Sequence, residues 1–172
     1  MMSEKIVLFK ITYQLEVHNM KIEEKLAELG LTLPQVPAPV AAYVPAVKAG
    51  RWVYVSGQTP FRDGKLRVTG KLGKDVSIED AYEEAKQCAL NIMAAVKSVA
   101  GSLDNVERIV KVVGFVACTP DFTNAPKVVN GASELFGEVF GDKGKHARAA
   151  VGVASLPLDC CVEVEAVILL KE

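Results

Sequence analysis

A chain of 172 residues with 20 Lys plus Arg against 21 Asp plus Glu carries a formal charge of -1; half of it is hydrophobic and only 6% aromatic. Such a length favours one domain with a substantial core, and disorder is excluded because low hydrophobicity and high net charge are both missing. With no long run of one sign, nothing draws the whole domain onto a nucleic-acid backbone or an anionic membrane, so nucleic acid is disfavoured as a partner.

Residues 1–19 alternate apolar and polar over IVLFKITYQLEV and read as a short strand or an N-terminal extension ahead of a single domain, 20–172. The apolar stretch from Ile6 to Val17 is broken by Lys10 and Glu16 and lacks a basic start and a cleavage site, so it is not read as a signal peptide. No run of about 18 apolar residues exists to span a bilayer. The expected location is the cytoplasm. After Met20, KIEEKLAELG places Ile22, Leu26 and Leu29 on one helical face with Gly30 as the stop, and the proline-rich LTLPQVPAPV reads as an extended connector.

AAYVPAVKAG and RWVYVSGQTP form a predicted hairpin, with Val53 and Val55 on one side and Trp52, Tyr54 and Ser56 on the other. RDGK at 62–65 is a turn. Ser77 opens the clearest helix, capping the Asp80 amide while the Asp80 carboxylate bonds back. Apolar residues then recur at helical spacing from Ile78 to Val96, giving one buried face before Gly101. RIVKVVGFVAC is nearly continuous in apolar residues from Ile109 to Cys118, as a strand covered on both faces would be. A second amphipathic helix covers about Ala125 to Phe140 with Gly141 as its stop, and two strands, ARAAVGVA and CCVEVEAVILL, follow with SLPLD between them. The order β-β-α-β-α-β-β predicts an α+β sheet with both helices on one face.

In the last two strands the alternation places Val151, Val153, Val162, Val164, Ala166 and Ile168 toward the helices. Arg148, Ala150, Gly152, Glu163 and Glu165 then share the opposite face. That second face meets either solvent or another subunit across a partly polar cleft.

Cys88, Cys118, Cys160 and Cys161 form no CxxC pair, and with two distant histidines they make a poor zinc set. They are expected to be reduced, buried hydrophobes, with no disulfide and no metal. No phosphate loop, dinucleotide turn or nucleophile elbow occurs, and His18 and His146 are expected at the surface. Arg148 is the best anchor, since a guanidinium fork grips a carboxylate through two parallel bonds. Glu163 is its natural counterpart. By themselves the two also fit a cross-strand salt bridge worth about 0–1 kcal/mol if exposed. Ser56 in VSGQ, Tyr43 in AAYVP and Asn130 in VVNGAS add hydroxyl and amide groups.

VNGASELFGEVFG followed by HARAAVGVASLPLDCCVEVEAV resembles the carboxyl-terminal signature of the Rid family of reactive-intermediate imine and enamine deaminases, also called YjgF or L-PSP proteins. AYVPAVKAGRWVYVSGQTP resembles its amino-terminal signature, and the likeness covers about residues 33–172. The resemblance implies a chorismate-mutase-like fold, a homotrimer with pockets between subunits, and no cofactor. It also implies Arg148 as carboxylate binder, Glu163 as the water-handling group, and Tyr43, Ser56 and Asn130 in the pocket. Gly57 and Ala150 would contribute mainly backbone atoms. Three features depart from the family pattern: Val44 and Pro45 replace polar residues after the tyrosine, Ala150 replaces a frequent cysteine, and residues 1–19 have no counterpart in the family core. The expected activity is hydrolytic deamination of small 2-imino or enamine acids such as 2-aminoacrylate to 2-keto acids and ammonia. The alternatives are a non-catalytic binder of small carboxylates and, less favoured, an endoribonuclease.

Overall fold

The computed structural model describes residues 21–36 and 42–172. The expected N-terminal extension, His18 and part of the proline-rich connector lie outside the described residues. By backbone proximity the chain divides into two units, residues 1–31 and 32–172. In the first, α1 (Ile22–Glu28) has Leu26 as its buried residue. Gly30 follows at φ 69°, the left-handed conformation that commonly ends a helix.

The second unit runs β1 (Ala46–Ala49), β2 (Trp52–Gln58), α2 (Ile78–Ala100), β3 (Val106–Ala117), α3 (Ala125–Phe140), β4 (Ala147–Val153) and β5 (Val162–Leu170), the order the sequence predicts. These strands make one mixed sheet in the order β1-β2-β5-β3-β4. Only β3 and β4 are parallel, because α3 between them supplies the crossover that a parallel pair needs. The RDGK turn closes through paired Arg62 and Lys65 backbone bonds, with Asp63 and Gly64 both at positive φ.

Both helices pack on one sheet face. Val53 and Val55 of β2, Val112 and Val116 of β3, and Val164 and Ile168 of β5 are buried on that side. A Cβ at Gly114 would collide with the Val129 side chain of α3, so the glycine of β3 leaves the room that valine fills. Likewise, Gly131 of α3 lies against the Tyr82 carbonyl of α2. Tyr82 also donates to Glu134 Oε2 at 2.6 Å, a bond that pushes its hydroxyl pKa up to about 12. At the start of α2, Ser77 Oγ accepts from the Asp80 amide at 3.0 Å as expected. The Asp80 carboxylate accepts from the Ser77 hydroxyl at 2.7 Å rather than from its amide.

The phase of β4 differs from the expectation. Its parallel register aligns Arg148 with Val112, Ala150 with Gly114 and Val151 with Phe115. Arg148 and Ala150 therefore lie on the helix side, while Val151, 44% exposed, lies on the open side with Phe115. The polar residue was assigned away from the core, yet an edge strand lets it sit at the rim of the helix layer, where α3 supplies polar partners. Burial in β3 alternates along the strand, so within one chain this apolar strand is covered on one face only.

Candidate active site

Arg148 leaves β4 toward α3, where its Nη1 donates to Asn130 Oδ1 at 2.9 Å and to Ser133 Oγ at 3.0 Å. Asn130 and Ser133 are three residues apart in α3, the spacing that puts both on one helix face. Among the described residues nothing bonds Nε or Nη2 of Arg148, and no carboxylate pairs with it. The Nε/Nη2 edge of the guanidinium, two parallel N–H groups, is thus unengaged among the described residues while Nη1 is tethered.

Behind Arg148, Ser133 Oγ is 3.0 Å from His146 Nε2, and His146 Nδ1 is 2.6 Å from the Gly144 carbonyl. The imidazole is half-buried, edge-on to Phe136 at 5.9 Å, and not at the surface as expected. Burial lowers its pKa from the ordinary value against the upward pull of the Gly144 carbonyl, and the Arg148 charge lowers it further. Ser133 and His146 escaped the sequence reading. Their signal was relational: His146 has the strand parity of Arg148, and Ser133 is one helical turn from Asn130.

Glu163 lies on the open face of β5, opposite Phe115. Between Val55 and Gln58 the β2/β5 register shifts, so Ser56 and Gly57 face a single residue of β5. That bulge brings Gly57 against Glu163: a Cβ at position 57 would overlap Oε1. Burial, with the Glu165 charge beside it, pushes the Glu163 carboxyl pKa up from its ordinary value. Among the described residues Glu163 has no ion-pair partner. Ser56 Oγ donates to the Val44 carbonyl at 2.7 Å and Ser56 N–H to the Pro45 carbonyl at 2.9 Å, so Ser56 anchors the AYVP entry. Tyr43, on that entry, is 58% exposed.

Arg148 and Glu163 do not share a face, and β3 separates their strands. Two strand spacings, about 10 Å, and a three-residue offset of similar length part their backbones. A cross-strand salt bridge within the chain is thereby excluded. Arg148 and Asn130 come together, as do Glu163 and Gly57, in two separate clusters. Among the described residues no group of three or more His, Cys, Asp or Glu converges as a metal site. The four cysteines are free, and burial pushes Cys160 and Cys161 up to about 11 and about 12. Neither is a nucleophile at neutral pH.

A mixed sheet with two helices on one face, and an arginine and a glutamate that have no ionic partners among the described residues, define a small α+β protein with polar candidate residues at its sheet. The profile of the family described as "YjgF/chorismate mutase-like, putative endoribonuclease" matches residues 23–169. This chain belongs to that family and has its chorismate-mutase-like fold. It is 41% identical over 152 residues to Protein TCP17 of Trypanosoma cruzi, covering 88% of this chain and 95% of the relative. It is 30% identical over 143 residues to a 2-iminobutanoate/2-iminopropanoate deaminase of Dermatophagoides farinae, covering 82% and 95%. The crystal structure of Atu1372 from Agrobacterium tumefaciens, a protein of unknown function, superposes with a TM-score of 0.80 at 46% identity, covering 88% and 94%.

Proposed function

We propose that this protein hydrolyses small 2-imino acids, formed from enamines such as 2-aminoacrylate, to 2-keto acids and ammonia, at sites completed between subunits of a homotrimer. The observation that carries this reading is the Arg148 guanidinium, held through Nη1 with its Nε/Nη2 edge unengaged and no carboxylate paired with it among the described residues. A substrate carboxylate would take that edge, with Asn130 fixing the arginine behind it. Glu163 of an adjacent subunit would supply the base. Its raised pKa suits it to take a proton from water at near-neutral pH. The water oxygen then bonds to the carbon of the protonated imine and the C=N pair of electrons moves to nitrogen, giving a neutral carbinolamine. In the second half Glu163 returns its proton to nitrogen, the C–N bond breaks, and ammonia leaves as the carbonyl forms and the hydroxyl proton passes through the Glu163 carboxylate to the ammonia, which departs as ammonium. Such imines already react slowly with water, so positioning and one acid–base group suffice, and the reaction needs no cofactor.

The deaminase-named relative supports this chemistry at 30% identity. A second reading, binding of a small carboxylate without turnover, draws on the AYVP entry: the Ser56 hydroxyl is spent on the Val44 carbonyl and Val44 and Pro45 offer no polar side chains. The deciding experiment generates imino acids in situ from several amino acids with an amino-acid oxidase and follows their loss. Acceleration proportional to the protein establishes the deaminase. Ligand binding without acceleration establishes the binder.

A further inference from the structure

We infer that Ser133 and His146 form a positioning pair that holds the Arg148 fork in its carboxylate-binding orientation; this deepens the functional reading above and rests on it. The argument starts from the Gly144 carbonyl, which can only accept. At 2.6 Å it requires the proton on His146 Nδ1. In the neutral ring Nε2 then holds a lone pair, and the group 3.0 Å away that can donate to it is the Ser133 hydroxyl. With its hydrogen committed to histidine, Ser133 Oγ turns its lone pairs to Arg148 Nη1 at 3.0 Å. One direction of hydrogen bonding therefore runs through four groups, from guanidinium to serine to imidazole to carbonyl, with each donor matched.

Packing fixes the far end of this chain. Gly144 is buried against the Phe136 backbone carbonyl, where a Cβ would overlap, and Phe136 presents its ring to the imidazole at 88°. Asn130 and Ser133 together place two acceptors on a single nitrogen of Arg148, so rotation of the fork costs both bonds while Nε and Nη2 stay free for ligand. The histidine thus acts at a distance from the substrate and through serine.

The arrangement has a pH sense. Protonation of His146 puts a hydrogen on Nε2, so Ser133 Oγ must accept from both imidazolium and guanidinium while its own hydrogen loses its acceptor. The charged group facing the ring is Arg148, from β4. From α3 come Ser133 and Phe136, and from the 141–144 turn the Gly144 carbonyl; Lys145, next in sequence, is paired with Asp142 at 2.7 Å. Two like charges then share one hydroxyl, and the fork loosens as pH falls.

The test uses the full-length protein, with pyruvate as a non-reacting carboxylate probe and imine turnover as a second readout. Ser133→Ala and His146→Phe should each weaken pyruvate binding and raise KM by roughly tenfold, with kcat within about twofold of wild type. Ser133→Thr, which keeps the hydroxyl, should restore affinity. Because both residues act through one chain, the double variant should bind no worse than either single one. Wild-type affinity should fall with decreasing pH below the ordinary histidine range, and His146→Phe should flatten that fall. Unchanged affinity in Ser133→Ala, additive losses in the double variant, or an unaltered pH profile in His146→Phe would overturn the pair. Should His146→Phe fail to fold, the Ser133 variants decide alone. Turnover without these affinity changes would sink the pair and keep the deaminase. Affinity changes without wild-type turnover would keep the pair and sink the deaminase, and a wild type that neither binds pyruvate nor turns over imine would sink both.

Discussion

A guanidinium offers five donors in a rigid fork, whereas an ammonium offers three on a flexible stem, and the surroundings of Arg148 use that difference. One nitrogen is spent on Asn130 and Ser133, and the remaining edge presents two parallel donors. Lysine could satisfy α3 or a ligand carboxylate but not both with fixed geometry. Arg148→Lys should therefore lose about ten- to hundredfold in kcat/KM, the worth of a charge-assisted bond, and Arg148→Ala nearly all activity. Neither should unfold the protein, because among the described residues no buried carboxylate depends on Arg148; thermal melts run beside the kinetics check this. Glu163 serves as a base only when ionised, and burial followed by the Glu165 charge raises its pKa. The acid limb of kcat should accordingly lie above the ordinary carboxylate range. Glu165→Gln removes the second cause and leaves the first, so the limb should move to lower pH without vanishing. A kcat profile that stays in place would detach Glu163 from the chemistry.

Two glycines of α3 carry opposite expectations. At Gly131 an added Cβ meets the Tyr82 carbonyl of α2, while at Gly137 it meets nothing. Gly137→Ala should stabilise the protein by about 0.5–1 kcal/mol through helix propensity. Gly131→Ala gains the same propensity but must force two helices apart, and should cost about 1–3 kcal/mol net. Shifts of the denaturant midpoint in opposite directions would verify the α2/α3 contact. Helix periods, the Ser77 cap on the Asp80 amide and the order of elements along the chain were legible at this scale, because each depends on neighbours within a few residues. Less legible was the burial of α2 beyond one face. Arg67 and Arg62 reach the buried Glu84 at 2.9 and 3.5 Å, and Asn91 donates to the Thr59 carbonyl, so the segment after β2 docks on that helix. Such pairing joins residues far apart in sequence and leaves no local period. The phase of β4 was lost for a related reason: in ARAAVGV small residues fall on both parities, and only the register with β3 decides that Arg148 faces α3. The polar residues of the candidate site were recognisable by type, whereas the Ser133–His146 connection required the fold.

The open face of the 32–172 unit joins exposed Trp52, Tyr54 and Val151 to Phe115, with Glu163 and Glu165 among them. On the proposed reading another copy covers this face, which is also what the apolar run of β3 fits. Arg148 sits at the edge strand and on the other side of the sheet, so a site that needs both Arg148 and Glu163 has to draw them from different chains. Light scattering should give the mass of three chains at micromolar concentration. Mixing variants tests the shared site more sharply. Arg148→Ala and Glu163→Gln proteins should each be nearly inactive alone. When the two are co-expressed in equal amounts, a site is intact wherever a Glu163→Gln chain contributes its arginine and the neighbouring Arg148→Ala chain contributes its glutamate. In a cyclic trimer assembled at random this holds for about one quarter of the sites, so about one quarter of wild-type turnover should return. If each site were built within one chain, every site in the mixture would carry a defect and co-expression would restore nothing.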